Sequence, residues 1–236
     1  MHSGYLLLMK KILLALLVLG ATISTASAQF EIGLKVSPSI SSLRAESTTD
    51  NSFASDGSKL SFGGGLVVDY FFGENYAFST GLLLTGKGGT ISYKDFVNGV
   101  SGPTTTFKQA MTIQYLELPV SVKLFTNEVA TDTRLYFQVG GSLNVPIGSR
   151  IGGEKFYKDP ATGNENKASD YVYFIDADAL AGIGAEYQLA KSTKVFAGLS
   201  YHRGLVDIDH YFESKRGFKD VTIKNSSFAL DLGIKF

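Results

Sequence analysis

Apolar and polar residues alternate with period two through most of the chain, most cleanly in its last segment. There Phe228, Leu230, Leu232, Ile234 and Phe236 fall on one side and Ser227, Ala229, Asp231, Gly233 and Lys235 on the other. Successive strand side chains point to opposite faces, so the pattern predicts a strand with one apolar and one polar face. The same reading predicts eight strands, near 30–41, 59–72, 76–87, 111–125, 134–147, 171–188, 193–206 and 222–236. In the fourth, Leu116, Leu118, Val120, Val122 and Leu124 oppose Tyr115, Glu117, Ser121 and Lys123; in the fifth, Leu135, Phe137, Val139, Leu143 and Val145 oppose Arg134, Tyr136, Gln138, Ser142 and Asn144. The sixth and seventh are weaker, their apolar sides built largely from Ala177, Ala179, Ala181 and Ala197.

The connections fall into two kinds. Those after the second, fourth and sixth strands are short (72–76, 126–132, 189–192), whereas those after the first, third, fifth and seventh are long and polar (42–58, 88–110, 148–170, 207–221). Long loops on one rim, short turns on the other and an even strand count are the layout of an outer-membrane barrel. The expected fold is therefore all-β: an eight-stranded antiparallel up-and-down transmembrane β-barrel with four extracellular loops. Aromatic residues near strand ends, in 70–72, at Tyr76 and Phe78, at Tyr171 and Tyr173 and at Tyr201, suit the interfacial girdles of such a barrel. A soluble lipocalin-like barrel, its apolar faces turned inward around a ligand, is the alternative for the same alternation.

The front of the chain favours export. Met9, Lys10 and Lys11 precede an unbroken apolar run at 12–19, and Ala26-Ser27-Ala28 has the form of a cleavage site, which makes residues 1–28 a signal peptide and 29–236 the barrel domain. The apolar run is well short of the roughly 20 residues of a spanning helix. Both Met1 and Met9 can serve as the start. Loss of Lys10 and Lys11 leaves 20 basic against 22 acidic residues, a formal charge of −2, with no basic stripe for nucleic acid. The chain has no cysteine, so an exported protein of this length must be held by its core or by a closed sheet rather than by disulfides, and thiolate metal sites are excluded.

The polar faces carry both signs of charge. Lys35, Glu117, Lys123, Arg134, Asp176, Asp178, Glu186, Lys194, Asp231 and Lys235 are expected to meet inside the lumen as a structural ion-pair network. Buried charges are tolerated only when paired and hydrogen-bonded. An eight-stranded barrel is just wide enough for its own side chains, so no open channel is expected. Pro119 forfeits a ladder hydrogen bond in a barrel without edges and points to a bulge or bend.

The segment Tyr115-Leu116-Glu117-Leu118-Pro119-Val120-Ser121-Val122-Lys123 resembles the characteristic strand of the PorT-like outer-membrane β-barrel family of Bacteroidetes. Residues 30–35, 81–84 with 86–88, 137–142, 182–187 and 201–208 resemble further segments of that family in the same order. The resemblance implies an outer-membrane barrel, some of whose relatives take part in type IX secretion. It implies outer-membrane lipid as surroundings, the barrel assembly machinery as a partner that reads the strand ending at Phe236, and surface or secretion partners for the loops.

Catalytic arrangements are thin. Ser200 and His202 share a strand face with Glu186 on the preceding strand, the residue types of a Ser-His-acid site on a lipid-modifying barrel, but their face is the inward one. Asp207, Asp209 and His210 in the last long loop have the types of an Asp and His protease rim, and are more simply solvated loop residues. Residues 159–166 lack the spacing of a calcium loop and read as a hairpin tip; Gly63-Gly64-Gly65 lies in a strand with no helix behind it to hold phosphate. The sequence thus calls for no enzyme, cofactor or metal.

Overall fold

A computed structural model of the chain describes residues 30–47, 51–96, 103–218 and 220–236. The expected export signal and its cleavage site lie outside the described residues. Eight long strands form a closed barrel: β1 (Phe30–Ser47), β2 (Ala54–Gly73), β3 (Tyr76–Phe96), β4 (Thr104–Ala130), β5 (Thr133–Ile151), β8 (Asp176–Ala190), β9 (Thr193–Gly204) and β10 (Val221–Lys235). The connection from β5 to β8 carries a small hairpin, β6 (Phe156–Lys158) with β7 (Glu165–Lys167), and that from β9 to β10 carries one short helix, α1 (Phe212–Arg216). Barrel neighbours follow chain order, and β1 closes against β10 from Gly33↔Lys235 to Ser47↔Val221. Closure pairs the backbone within the sheet and leaves no edge.

One rim has two-residue turns between β2 and β3, β4 and β5, and β8 and β9, with Asp132 in the left-handed region (φ 57°). The other rim differs from expectation. The stretches 42–58 and 88–110, read as loops, are largely strand: β1 runs to Ser47 and β2 begins at Ala54, while β3 and β4 stay paired from Thr90↔Ala110 out to Phe96↔Thr104. A strand of about 9–11 residues crosses a bilayer. At 21 and 27 residues, β3 and β4 stand well beyond any membrane.

Inside-outside polarity reverses along these strands without a change of parity. Toward the short-turn rim the outward positions are apolar, including Leu34, Leu66, Leu82, Leu118, Val139, Ile183, Leu199 and Leu230, and all are exposed. Their inward neighbours are Lys35, Asp69, Glu117, Ser142, Ser200 and Asp231, all buried or half-buried. Toward the other end the inward positions are apolar and buried (Leu43, Ile91, Tyr93, Met111, Ile113, Val221, Ile223) and the outward ones polar (Arg44, Ser92, Lys94, Thr112, Thr222, Lys224). A strand in hydrocarbon buries its polar face in the lumen and a strand in water does the opposite, so the reversal marks where the apolar band ends.

Two local details complete the wall. Register is unchanged on either side of Pro119, Thr80↔Val120 and Leu83↔Glu117, so no residue is inserted there. The extra residue sits instead in β5, where Gln114↔Gly148 gives way to Tyr115↔Pro146 and Ile147 is the bulged position. Gly184 and Gly198 face each other across β8 and β9 because the Tyr136 ring lies over both; a Cβ on either would come within 2.4 Å and 2.3 Å of its hydroxyl oxygen.

Candidate functional site

The lumen is packed in two charged tiers beneath an apolar cap. In the lower tier, near the short-turn rim, Asp69 accepts hydrogen bonds from Lys123 Nζ (2.9 Å), Lys235 Nζ (2.5 Å) and Ser79 Oγ (2.5 Å). Lys235 also pairs with Glu186, and Lys194 with Glu31. Lys35 meets Asp231 at 3.2 Å, and Ser37 donates to the same Asp231 oxygen. Aromatic rings fill the gaps: Lys123 lies 5.3 Å from the Tyr136 ring centre and Lys235 5.4 Å from that of Phe196. The middle tier is built on Lys87, 2.6 Å from Asp178 and 3.2 Å from Glu117, with His202 Nδ1 3.1 Å from Asp178. Ser142 Oγ and Asn144 Nδ2 donate to Asp178 at 2.7 and 2.8 Å.

Eight of the ten charged residues expected in the lumen enter ion pairs there. Arg134 does not: at the rim it donates to the Thr126 and Glu74 carbonyls and the Asn75 side chain, its guanidinium over the Phe125 ring. Asp176 accepts from Asn225 Nδ2 (2.7 Å) rather than from a cation within ion-pair distance. Glu31, Asp69 and Lys87 belong to the same tiers and are not among the ten: Glu31 shares the inward parity of Lys35 on β1, whereas β2 and β3 contribute none of the ten expected residues.

Glu117, Asp178 and His202 offer ligand atoms within 4.8 Å of one another, a spacing that suits a metal ion. The Lys87 ammonium already bridges both carboxylates, so the chemistry of this group is that of a satisfied ion pair. The Ser-His-acid set is not assembled: His202 turns to Asp178 and Glu186 is held by Lys235. Two voids of about 20 Å³ each, one beside Lys87 and one beside Lys123, are of the size that admits single waters.

The cap draws on all four long connections or the strand ends that flank them. Phe53, Tyr93, Tyr171, Ile208, Phe212 and Ile223 are buried in one cluster, with Phe53 stacked on Tyr93 (5.3 Å) and Tyr171 on Tyr211 (3.8 Å). Tyr171 thus sits in the cap and Phe71 faces the lumen beside Phe125, so neither belongs to an outer girdle, whereas Phe72, Tyr76 and Phe78 are exposed. Two connections are tied by Tyr173 N–H to Ile208 O (3.0 Å) and His210 N–H to Tyr171 O (3.1 Å). Arg216 clamps three segments, pairing with Asp95 from β3 and with Asp159 (2.6 Å) from the tip after β6.

The acids of the last connection serve the backbone. Asp209 accepts the N–H groups of Tyr211, Phe212 and Glu213, each at 3.1 Å, and so caps α1. Burial pushes its carboxyl up to about 6 against the pull of those donors, with Asp207 adding like charge. Asp207 accepts from the amides of Asp209 and Ile223 and is likewise raised by burial. Asp159, at the tip expected of residues 159–166, receives Tyr211 Oη (2.8 Å) as well as Arg216. Nothing local announces the clamp of Asp95, Asp159 and Arg216, because the three come together only through the fold.

Solved structures of outer-membrane barrels are similar to this chain in fold. OprG from Pseudomonas aeruginosa, an outer membrane protein, aligns with a TM-score of 0.50 at 11% identity over 88% of this chain and 96% of its own. Neisserial surface protein A aligns with a TM-score of 0.47 at 13% identity over 87% and 95%, and the outer membrane protease OmpT from Escherichia coli with 0.40 at 10% over 88% and 96%. No curated protein matches the sequence. The sequence matches the family described as "Outer membrane protein beta-barrel domain" over residues 24–210. A match over that much of the sequence, joined to a closed eight-stranded barrel with an apolar outer band, means that this chain belongs to the outer membrane protein β-barrel domain family.

Proposed function

We propose that the protein is a non-enzymatic surface barrel, closed to solute flow, that carries its capped long-loop end on the outside of the cell and acts there as a structural or contact element. The observation that carries the reading is the filled interior: ion pairs through two tiers, voids of about 20 Å³, and an aromatic cap held by Arg216. A pore needs a continuous wet path and a barrel enzyme needs a reachable reactive set; neither fits a lumen whose His and acids are spent on one another. The segments 115–123 and 201–208 support placing the chain with PorT-like barrels of Bacteroidetes, with export by cleavage near Ala28 and assembly through the strand ending at Phe236.

Liposome swelling tests the closed lumen. Vesicles carrying the folded barrel should admit arabinose no faster than empty vesicles, and influx at porin-like rates would overturn the reading. Orientation is tested separately by protease treatment of intact cells, which should cut within 152–175 or 205–220 and leave the short turns intact; cleavage at the short turns alone would reverse it.

A further inference from the structure

The outer wall of the barrel is not uniformly convex. A hollow of about 720 Å³ opens on the apolar band, lined by Ile40 of β1, Ala181 of β8, Leu199 and Tyr201 of β9, and Phe228 and Leu230 of β10. It is an open depression on the wall rather than an enclosed cavity, so a chain lying in it keeps one side against the surrounding lipid. Its lining is almost wholly apolar, as a site for a hydrocarbon chain requires.

Cations stand over one end of it. Going from the hollow toward the long-loop end, the outward positions of β1, β9 and β10 bring Arg44, Arg203 and Lys224. Arg44 lies directly opposite Lys224, and Arg203 opposite Ser226, one outward step away. Tyr201 joins the two regions. Its ring lies 4.5 Å from that of Phe228 in the hollow, while its hydroxyl meets Ser226 Oγ (3.1 Å) and faces Arg203 and Arg44. Arg44 donates one Nη to the Gly204 carbonyl (2.6 Å), and its buried Nε has no partner among the described residues. Two acids stand nearby: Asp207, beside Lys224, is committed to backbone amides, and Glu46 is exposed one outward step beyond Arg44.

We infer that this face binds a phosphorylated lipid of the adjoining leaflet, with an acyl chain in the hollow and the phosphate on Arg44, Arg203 and Lys224. Guanidinium groups present planar donor pairs that match phosphate oxygens, and a ring hydroxyl at the boundary is the usual bridge between hydrocarbon and headgroup. The inference rests on the reading of the apolar band as lipid-facing. A neutral lipid brings no phosphate and a zwitterionic phospholipid brings its own cation beside it, so the three side chains favour a phospholipid of net negative charge.

Full-length protein in nanodiscs of phosphatidylcholine and phosphatidylglycerol, released into native mass spectrometry, provides the test. The wild-type barrel should retain phosphatidylglycerol about tenfold or more above its bulk proportion. The variant R44Q/R203Q/K224Q should fall to the bulk ratio, and Leu199→Trp, which fills the hollow and keeps the cations, should lose the retained lipid. Heat-modifiable gel migration confirms that each variant is folded. Equal retention by wild type and the triple variant overturns the site while leaving the lipid-facing band intact. Failure of the wild-type barrel to enter nanodiscs overturns the band and the site together.

Discussion

The two halves of the barrel solve opposite solvation problems with the same strands. In the half that bears the apolar band, β4 turns Leu116, Leu118 and Val120 outward and Glu117, Ser121 and Lys123 inward; a few residues earlier it turns Met111 and Ile113 inward and Thr112 and Gln114 outward. The first half hides charge from hydrocarbon by pairing it, and the second hides hydrocarbon from water by packing it. Their sensitivities should differ accordingly. Loss of one partner in a buried ion pair strands a charge, whereas loss of a ring leaves a cavity.

The largest effect is expected in the charged half. Asp69→Leu removes the carboxylate shared by Lys123 and Lys235 and leaves two buried ammonium groups facing each other. A loss of about 3–5 kcal/mol is expected in the unfolding free energy of the vesicle-inserted barrel, read from urea unfolding curves followed by gel migration. In the capped half, Phe212→Ala should weaken the cap by about 3 kcal/mol while the barrel midpoint barely moves, seen as faster proteolysis within 205–220. A large barrel shift for Phe212→Ala, or none for Asp69→Leu, would break the comparison.

Titration sharpens it further. The Asp209 carboxyl sits at about 6 in the folded cap against 3.8 for a free side chain, so the folded state holds its proton to higher pH. That contribution is fully present below pH 3.8 and is lost as pH rises through about 6. Amide exchange in α1 should therefore show a cap weaker at pH 7 than at pH 4 by on the order of 1–3 kcal/mol, and Asp209→Asn should flatten the dependence. The smallest effect belongs to Lys108 and Asp56, 2.8 Å apart at the exposed end of the β3 and β4 extension; Lys108→Ala should change stability by no more than about 0.5 kcal/mol.

The part of the fold legible in the sequence is the part in the apolar band. There, one rule, apolar out and polar in, holds from Phe30 to Phe236, and it located eight strands, the short turns and most of the charged residues that meet in the lumen. The rule inverts above the band, so residues 88–96 and 104–110, with apolar Ile91 and Tyr93 among Gly, Ser and Thr, looked like loop while their backbones continue the ladder. Tyr171 looked like a girdle residue for the same reason: an aromatic at a strand end is apolar surface in either solvent. Lys87 lay hidden in a Gly-Lys-Gly stretch, and the Arg216 clamp has no local signature at all. In β4, Pro119 was awkward for the right reason, but the barrel absorbs it in register and places the bulge beside Pro146.

The chain has no cysteine, so a nitroxide can be placed at one introduced cysteine at a time. The measurement that tests the central claim is its accessibility to oxygen and to a water-soluble nickel chelate in reconstituted vesicles, at Leu118 and Leu230 in the band and at Thr106 and Lys94 beyond it. The account predicts high oxygen and low nickel accessibility at the first two positions and the reverse at the last two, with Ser121 shielded from both. Equal nickel accessibility at Leu118 and Thr106 would contradict it.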